Sequence, residues 1–161
     1  MLDDMAFTTF MPDAIEEARA AAARGEVPVG AVLVSPDGTV LARAGNETRA
    51  GRDPTAHAEV LAIRRACARL GAERLTGCTL WVTLEPCPMC AAAIAHARIA
   101  RLVYGASDPK SGGIETGPRL YAHPNLHHAP EIVAGIDETT CRTLLTEFFG
   151  RKRDPQDRDR S

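Results

Sequence analysis

The apolar positions in the first third of the chain change period, which predicts a helix followed by a β-hairpin. Apolar residues recur at helical spacing over residues 12–24, and Gly25 is placed to end that helix. Residues 29–34 form a continuous apolar run, and the Pro-Asp-Gly sequence at 36–38 is turn chemistry before a second apolar segment at 39–42. We therefore expect one helix and two antiparallel strands here.

The middle of the chain alternates between helical and extended patterns. The alanine-rich stretch at 56–70 is predicted to be helical and to end at Gly71. A strand at 79–84, a helix from 85 to about 97 and a strand at 101–104 follow. A strand, a crossover helix and a strand of this length form a right-handed unit, so these two strands are expected to be parallel.

The last third predicts one more strand and one more helix. A glycine-rich loop over 106–126 precedes a strand at 131–134, and Asp137 is expected to cap the final helix. The fold class is thus α/β, with a mixed five-stranded sheet and helices on its faces. We expect one domain over residues 1–153 and a disordered tail at 154–161, because the tail has no apolar anchor.

Composition limits the class of protein. The 161 residues suffice for one domain with a proper core, and 45% hydrophobic with 25% charged residues is typical of a soluble globular protein. The acidic start Met1-Leu2-Asp3-Asp4 lacks the features of a signal peptide, and no apolar stretch approaches membrane-spanning length. We therefore expect a cytoplasmic protein that does not enter a membrane.

The net charge and the number of cysteines limit the functions that the protein can have. A net charge of −2 argues against nonspecific coating of nucleic acid, which depends on neutralising phosphates, but leaves room for a local basic patch. The chain has five cysteines, an odd number, and we expect it in a reducing compartment. Both facts favour a metal-binding or catalytic use of cysteine over a disulfide framework.

Three residues form a candidate metal site. Cys87 and Cys90 lie three residues apart at a predicted helix start, where the helix dipole favours thiolates. A redox pair or half of a structural zinc site would have the same spacing. His57 lies at the start of another predicted helix, so the two helix N-termini could converge on one ion. One histidine and two cysteines leave the fourth zinc position for water, as in catalytic sites.

Glu59 is a candidate proton carrier. It follows His57 by two residues, so on an ideal helix the two side chains would point about 200° apart and would not both bind one ion. A carboxylate near zinc but not bound to it can move protons, provided that the site lies above the helix end. Zinc makes water nucleophilic near neutral pH, which suits attack on an amidine carbon with Glu59 carrying protons to the ring nitrogen and the departing amine.

These motifs match the zinc deaminase signature, H-x-E followed by P-C-x-x-C. The segments 26–32, 53–59, 82–87 and 104–110 also resemble the bacterial tRNA-specific adenosine deaminases of the TadA type, in the cytidine/deoxycytidylate deaminase superfamily. The resemblance covers roughly residues 10–153. It implies a three-layer α/β/α cytidine-deaminase-like fold, a homodimer, one Zn²⁺ per subunit, and conversion of the wobble adenosine in a tRNA anticodon loop to inosine.

The resemblance also implies roles for individual residues. His57, Cys87 and Cys90 would hold zinc, and Glu59 would move protons. The residues expected to contact the substrate are Asn46 on the flipped nucleoside, Asp108 and Lys110 on the RNA strand, and Phe148, Phe149 and Arg151 on bases and phosphates. Taken without the resemblance, these would be a turn residue, a solvated loop and an amphipathic helix with a basic end. The loop at 113–117 and His127 depart from the family pattern.

Two other functions stay open. The same scaffold could deaminate a free base or nucleoside of the guanine, cytosine or adenine type. Lys110, the aromatic end of the last helix and the terminal basic cluster favour RNA, because a buried small-molecule site would not need them. A noncatalytic zinc or redox protein is the third possibility, but it leaves His57 and Glu59 unexplained.

Overall fold

A computed structural model describes residues 8–152, in which five strands form one mixed sheet. The strands are β1 (Gly30–Val34), β2 (Val40–Gly45), β3 (Thr79–Leu84), β4 (Arg101–Ala106) and β5 (Glu131–Ala134). The sheet order is β2-β1-β3-β4-β5, with β1 antiparallel to β2 and β3. Strands β3 and β4 are parallel, as predicted for the crossover unit, and β5 is parallel to β4. The expected disordered tail lies outside the described residues.

Helices cover both faces of the sheet. They are α1 (Met11–Ala23), α2 (Ala58–Leu70), α3 (Pro88–His96) and α4 (Glu138–Lys152), with a 3₁₀ turn at Leu120–Ala122. Ala31 and Leu33 of β1 pack towards α2 and α3, while Val32 and Val34 point to the opposite face with α1 and α4. This confirms the three-layer α/β/α architecture. Within residues 8–152, none of the helices combines the length and the apolar character that a bilayer crossing needs.

Small residues let α1 lie unusually close to the sheet. A Cβ atom on Gly30 would collide with the backbone oxygen of Ala14 and would lie 2.6 Å from the backbone nitrogen of Ala18. Both alanines are fully buried. Only a residue without a side chain fits at position 30, because the atoms in the way belong to a helix backbone that cannot rotate aside.

Two helices begin later than the sequence predicted, and this changes the site. Helix α2 begins at Ala58 rather than residue 56, and α3 begins at Pro88 rather than residue 85. His57 and Cys87 are therefore N-cap residues with extended backbones, at ψ 152° and 169°. The proline explains the second case, since it excludes the preceding residue from the helical region and is itself favoured at the first helical position.

Arginine side chains cover the free edge of the sheet at β2. Arg65 of α2 donates from Nη1 to the carbonyl oxygen of Arg43 at 2.7 Å. One turn later, Arg69 donates to the carbonyl oxygen of Val40 at 2.7 Å. Carbonyl groups of the outermost strand are thus occupied by helix α2 of the same chain.

Candidate metal centre and active site

His57, Cys87 and Cys90 converge on one point. The Nδ1 atom of His57 lies 3.6 Å from the sulfur of Cys87 and 3.5 Å from the sulfur of Cys90. All three potential ligand atoms lie within 4.8 Å of one another, and within residues 8–152 no other such group of histidine, cysteine or acidic residues occurs. The two helix N-termini therefore meet as the sequence predicted.

The spacing of these atoms fits zinc. A tetrahedral ion with a bond of about 2.0 Å to nitrogen and about 2.3 Å to sulfur places those two ligand atoms about 3.5 Å apart. The distances from His57 to both sulfurs match this value. Three protein ligands leave one tetrahedral position for water or substrate, which is the arrangement of catalytic rather than structural zinc.

The two cysteines shift each other's pKa in opposite directions. A hydrogen bond from Cys90 lowers the pKa of Cys87, and His57 adds to this effect. The same bond raises the pKa of Cys90, and burial raises it further. The hydrogen bond with Cys87 also raises the pKa of His57. A bound cation would favour the thiolate form of both cysteines, since the thiolate is the species that ligates metal.

Glu59 lines the same cavity as His57 and Cys87, and it is buried with a free acceptor atom. Its side chain is 3% exposed, and its Oε1 atom has no hydrogen-bond partner among the described residues. Burial raises the pKa of Glu59. The expected 200° separation from His57 does not apply, because His57 precedes the helix and only Glu59 lies within it. A buried carboxyl oxygen without a hydrogen-bond partner is costly and indicates a functional position.

His57, Cys87 and Glu59 line a cavity of about 220 Å³, and Cys90 is buried behind them. Its walls come from five parts of the chain, namely the segment before β1, the loop after β2, the start of α2, the segment from the end of β3 to the start of α3, and the loop after β4. Besides His57 and Cys87, the polar lining residues are Asn46, Thr48, Glu59, Glu85, Asp108 and Ser111.

Asn46 joins the cavity to the start of α2. Its Oδ1 atom accepts a hydrogen bond from the backbone nitrogen of Ala58 at 2.8 Å, so the side chain caps the helix from outside it. The Nδ2 group makes no hydrogen bond within residues 8–152. Asn46 therefore offers the cavity a donor, because its acceptor is already used.

The loop after β4 carries Asp108 and Lys110 at the mouth of the cavity. Asp108 Oδ1 accepts hydrogen bonds from the backbone nitrogens of Lys110 and Ser111, both at 3.1 Å. The Oδ1 atom of Asp108 thus stabilises the loop in which Asp108 itself lies. Lys110 is exposed and borders a groove of about 530 Å³, which shares Asp108 and Ser111 with the cavity.

The two phenylalanines of α4 face different surroundings. Phe149 is 42% exposed and lines the groove with Lys110, whereas Phe148 is 9% exposed and borders a separate cavity against α1. Their rings meet edge to face at 5.4 Å. Arg151 borders the α1 cavity with Phe148 rather than the groove.

Sequence reasoning missed two buried carboxylates beside the cavity. Glu26 accepts hydrogen bonds from the backbone nitrogens of Arg49 and Ala50 and from the Thr48 hydroxyl. Glu85 accepts hydrogen bonds from the loop after β4, while burial opposes its charge and these bonds hold its pKa below the ordinary value. The available signal was an acidic residue beside an apolar segment, as in Leu84-Glu85-Pro86.

Comparison with known proteins places the chain among deaminases. Residues 6–106 match the cytidine and deoxycytidylate deaminase zinc-binding region. A tRNA-specific adenosine deaminase of Agrobacterium fabrum is 56% identical over 146 residues, covering 91% of this chain and 95% of that protein. A solved structure from studies of A-to-I editing by tRNA:A34 deaminases is 57% identical with a TM-score of 0.83, covering 84% of this chain and 98% of the other. A guanine deaminase structure from Bacillus subtilis is 33% identical with a TM-score of 0.61, covering 90% and 92%.

Proposed function

The chain belongs to the cytidine and deoxycytidylate deaminase family, and we propose that it hydrolyses adenosine to inosine at the wobble position of a tRNA anticodon, releasing ammonia. One observation carries the chemistry: three potential metal ligands lie beside the buried carboxyl group of Glu59, whose Oε1 atom has no hydrogen-bond partner among the described residues. The choice of RNA over a free base is supported by the relatives at 56% and 57% identity, which are named for transfer RNA.

One zinc ion per subunit would be held by His57, Cys87 and Cys90. When bound, zinc supplies a Lewis acid that makes water a nucleophile near neutral pH. The protein contributes a fixed ligand geometry and a carboxyl group within the same cavity.

Glu59 is the proposed catalytic acid and base. Its carboxylate takes a proton from the attacking water and passes it to the ring nitrogen, which makes the neighbouring carbon electrophilic. It then takes the second proton of the same water and delivers it to the departing amine, which leaves as ammonia. The free Oε1 atom supports this role, because a carboxylate already held by other donors would be a weaker base.

The target base must enter the cavity as a single flipped-out nucleotide. A loop base can be extruded at low cost, and its edges are then free for hydrogen bonding. We assign the Nδ2 group of Asn46 to an acceptor on the bound nucleoside. The adjoining groove would take the neighbouring nucleotides, with Phe149 stacking on a base and Lys110 close to a phosphate, a contribution of about 1 to 3 kcal/mol per stacked base.

The surroundings of Phe148, Arg151 and Asp108 limit the contacts that each residue can make with RNA. Phe148 is buried, so it would support Phe149 from behind rather than stack on RNA. Arg151 lies away from the groove and would contact RNA only through a more distant phosphate. Asp108 keeps one oxygen, Oδ2, for the RNA strand, since Oδ1 accepts two backbone hydrogen bonds.

The proposed enzyme is a homodimer that acts in the cytoplasm, where transfer RNA is available. The outer surfaces of α2 and α3 support pairing, because the apolar residues Val60, Ile63 and Ala93 are partly exposed around a cavity of about 600 Å³. Light scattering should give twice the chain mass of 17.2 kDa for the wild type. A wild-type monomer contradicts the dimer without affecting the deaminase proposal.

Inosine formation tests the function. Purified protein is incubated with transfer RNA, the RNA is digested to nucleosides, and inosine is measured by mass spectrometry. Free guanine, adenine, cytosine and their nucleosides are assayed in parallel for ammonia release. Ammonia from a free base without inosine in the RNA would replace this proposal with deamination of a small molecule.

Metal analysis separates the enzyme from a redox protein with the same cysteine spacing. The wild type should contain about one zinc per chain, and Cys87→Ser should lose most of it because one of three ligands is gone. A wild-type protein without zinc that cycles between dithiol and disulfide would overturn the metal site.

A further inference from the structure

The Glu85 carboxylate accepts several hydrogen bonds from the loop after β4. It is 2% exposed and lies directly after β3, two residues before Cys87. Its Oε1 atom accepts a hydrogen bond from the backbone nitrogen of Asp108 at 3.1 Å. Its Oε2 atom accepts from three consecutive backbone nitrogens, those of residues 114, 115 and 116, each at 3.1 Å, and from the Thr116 hydroxyl at 2.8 Å.

These bonds close the loop into a ring around one carboxylate. The Thr116 hydroxyl also reaches the carbonyl oxygen of Asp108 at 2.8 Å, which joins the two ends of the segment 108–116. The loop leaves no space at its centre, because a Cβ atom on Gly112 would collide with the Thr116 hydroxyl. Hydrogen bonds to a charged acceptor are stronger than those between neutral groups, so this carboxylate can order a loop that has no secondary structure of its own.

The same loop forms one wall of the active-site cavity. Asp108 and Ser111 line the cavity, and Lys110 lies between them in sequence at the groove. At its other end, Gly113 donates to the carbonyl oxygen of Pro86 at 2.8 Å, and a Cβ atom there would lie 2.7 Å from the backbone nitrogen of Pro88. The loop therefore rests on the segment that carries Cys87.

We propose that Glu85 is a positioning residue for the deamination, which holds the 108–116 loop against the cavity so that its wall is formed before the RNA arrives. The expected change in enzyme kinetics rests on the proposed function. The anchoring itself can be tested without catalysis. Glu85 carries no proton in the reaction and binds no metal, and its effect is on the binding of the substrate strand.

The Glu85→Gln variant should weaken the contact that holds the Asp108 end of the loop. The amide oxygen will occupy the Oε2 position, because four donors converge there, and the amide nitrogen will then face the backbone nitrogen of Asp108. Two donors facing each other release the Asp108 end of the loop. We expect the KM for transfer RNA to rise about tenfold while kcat falls by less than about threefold. Bound zinc should be unchanged.

Hydrogen–deuterium exchange gives a readout that needs no activity. The backbone amides of residues 108–116 should exchange about tenfold faster in Glu85→Gln than in the wild type, while those of the sheet keep their rates. The matched control is Glu16→Gln, the same substitution at an exposed position of α1, which should equal the wild type in KM, zinc and exchange.

Variants of Thr116 test the same hydrogen bonds from the loop side, because the Thr116 hydroxyl donates to the Glu85 carboxylate. They also test the proposal if Glu85→Gln does not fold. Thr116→Val removes the hydroxyl donor at nearly constant volume and should raise the KM about threefold to tenfold. Thr116→Ser keeps the hydroxyl and should restore the KM to within about twofold of the wild type.

Several outcomes would overturn the inference. Unchanged KM and unchanged loop exchange in both Glu85→Gln and Thr116→Val would do so, as would a fall in kcat alone with normal exchange. A wild-type enzyme that forms no inosine would refute the proposed function instead, and the exchange rates of the 108–116 amides would then still confirm or refute the anchor.

Discussion

Glu59 and Asn46 are buried polar residues of the cavity that each keep a hydrogen-bonding group unused within the described residues. Such groups cost stability when they face an apolar interior, so their presence needs a compensating function. Glu59 keeps an acceptor and Asn46 keeps a donor. The two residues therefore offer different chemistry to a bound base.

Replacing Glu59 with alanine should separate metal binding from catalysis. The three ligands are untouched, so Glu59→Ala should keep about one zinc per chain. Without the carboxyl group, inosine formation should fall by at least about a hundredfold, the usual contribution of a positioned acid or base. Zinc analysis and single-turnover kinetics on transfer RNA measure the two effects. Substantial turnover in this variant would remove Glu59 from the mechanism.

Two substitutions at Asn46 should separate its two roles. Asn46→Asp keeps an acceptor for the backbone nitrogen of Ala58 but loses the donor, so stability should stay near wild type while activity falls about tenfold. Asn46→Ala loses both groups, and should also lower the free energy of unfolding by about 1 kcal/mol through the lost helix cap. Thermal unfolding and inosine assays on both variants make the comparison. Equal activity in all three proteins would contradict a donor role.

The residues that could be predicted from sequence are those whose spacing is local. Cys87 and Cys90 lie within one helical turn and His57 precedes Glu59 by two residues, so a short pattern identifies them. Glu85 could not be identified in this way, because its loop partners lie 23 to 31 residues further along the chain. Only the folded chain shows that one carboxylate collects these donors.

At the scale of whole elements, the tight contact between α1 and β1 makes a clear prediction. Gly30→Ala introduces a methyl group where helix backbone atoms leave no space, and should lower the free energy of unfolding by about 3 kcal/mol or more. Gly150→Ala, in α4 with nothing within 4 Å of the new methyl group, should instead raise it by about 0.5 to 1 kcal/mol. Urea unfolding of both variants tests the pair, and equal effects would contradict the packing argument.

The strands were easier to predict than the helix starts. Strand β3 has the predicted bounds and β5 does as well, because apolar runs between turn residues identify them. The starts of α2 and α3 were placed too early, since helix propensity cannot show that His57 and Cys87 adopt extended backbones. That difference matters for function, because an N-cap side chain can turn towards an ion that a helical side chain at the same position would miss.

For the molecule as a whole, Glu26 should make stability depend on pH. Burial raises the pKa of Glu26, but hydrogen bonds from residues 48–50 outweigh it and hold the pKa below the ordinary value of 4.5. A lowered pKa means that the unfolded chain binds this proton more tightly, so the stability contributed by Glu26 is complete above pH 4.5 and is lost as the pH falls through the folded value. The structure thus becomes more sensitive to acid than its exposed carboxylates would make it.

The test compares the wild type with Glu26→Gln in urea unfolding between about pH 3 and pH 7. At pH 7 the variant should be less stable by about 1 to 3 kcal/mol, because a neutral amide replaces a charged acceptor. The difference should shrink as the pH falls below 4.5, because the unfolded wild type then takes up a proton that the variant cannot bind. A difference that stays constant across this range would show that Glu26 does not titrate with unfolding.

The arginine cover on β2 has a consequence for how copies of the protein meet. A strand from a second molecule could extend the sheet at this border only by first removing Arg65 and Arg69 from the carbonyl groups that they occupy. New backbone pairing there would be offset by the loss of the arginine bonds, so the border gains less from an added strand than an uncovered edge would. The cover therefore works against sheet extension between copies and against fibril growth from this border.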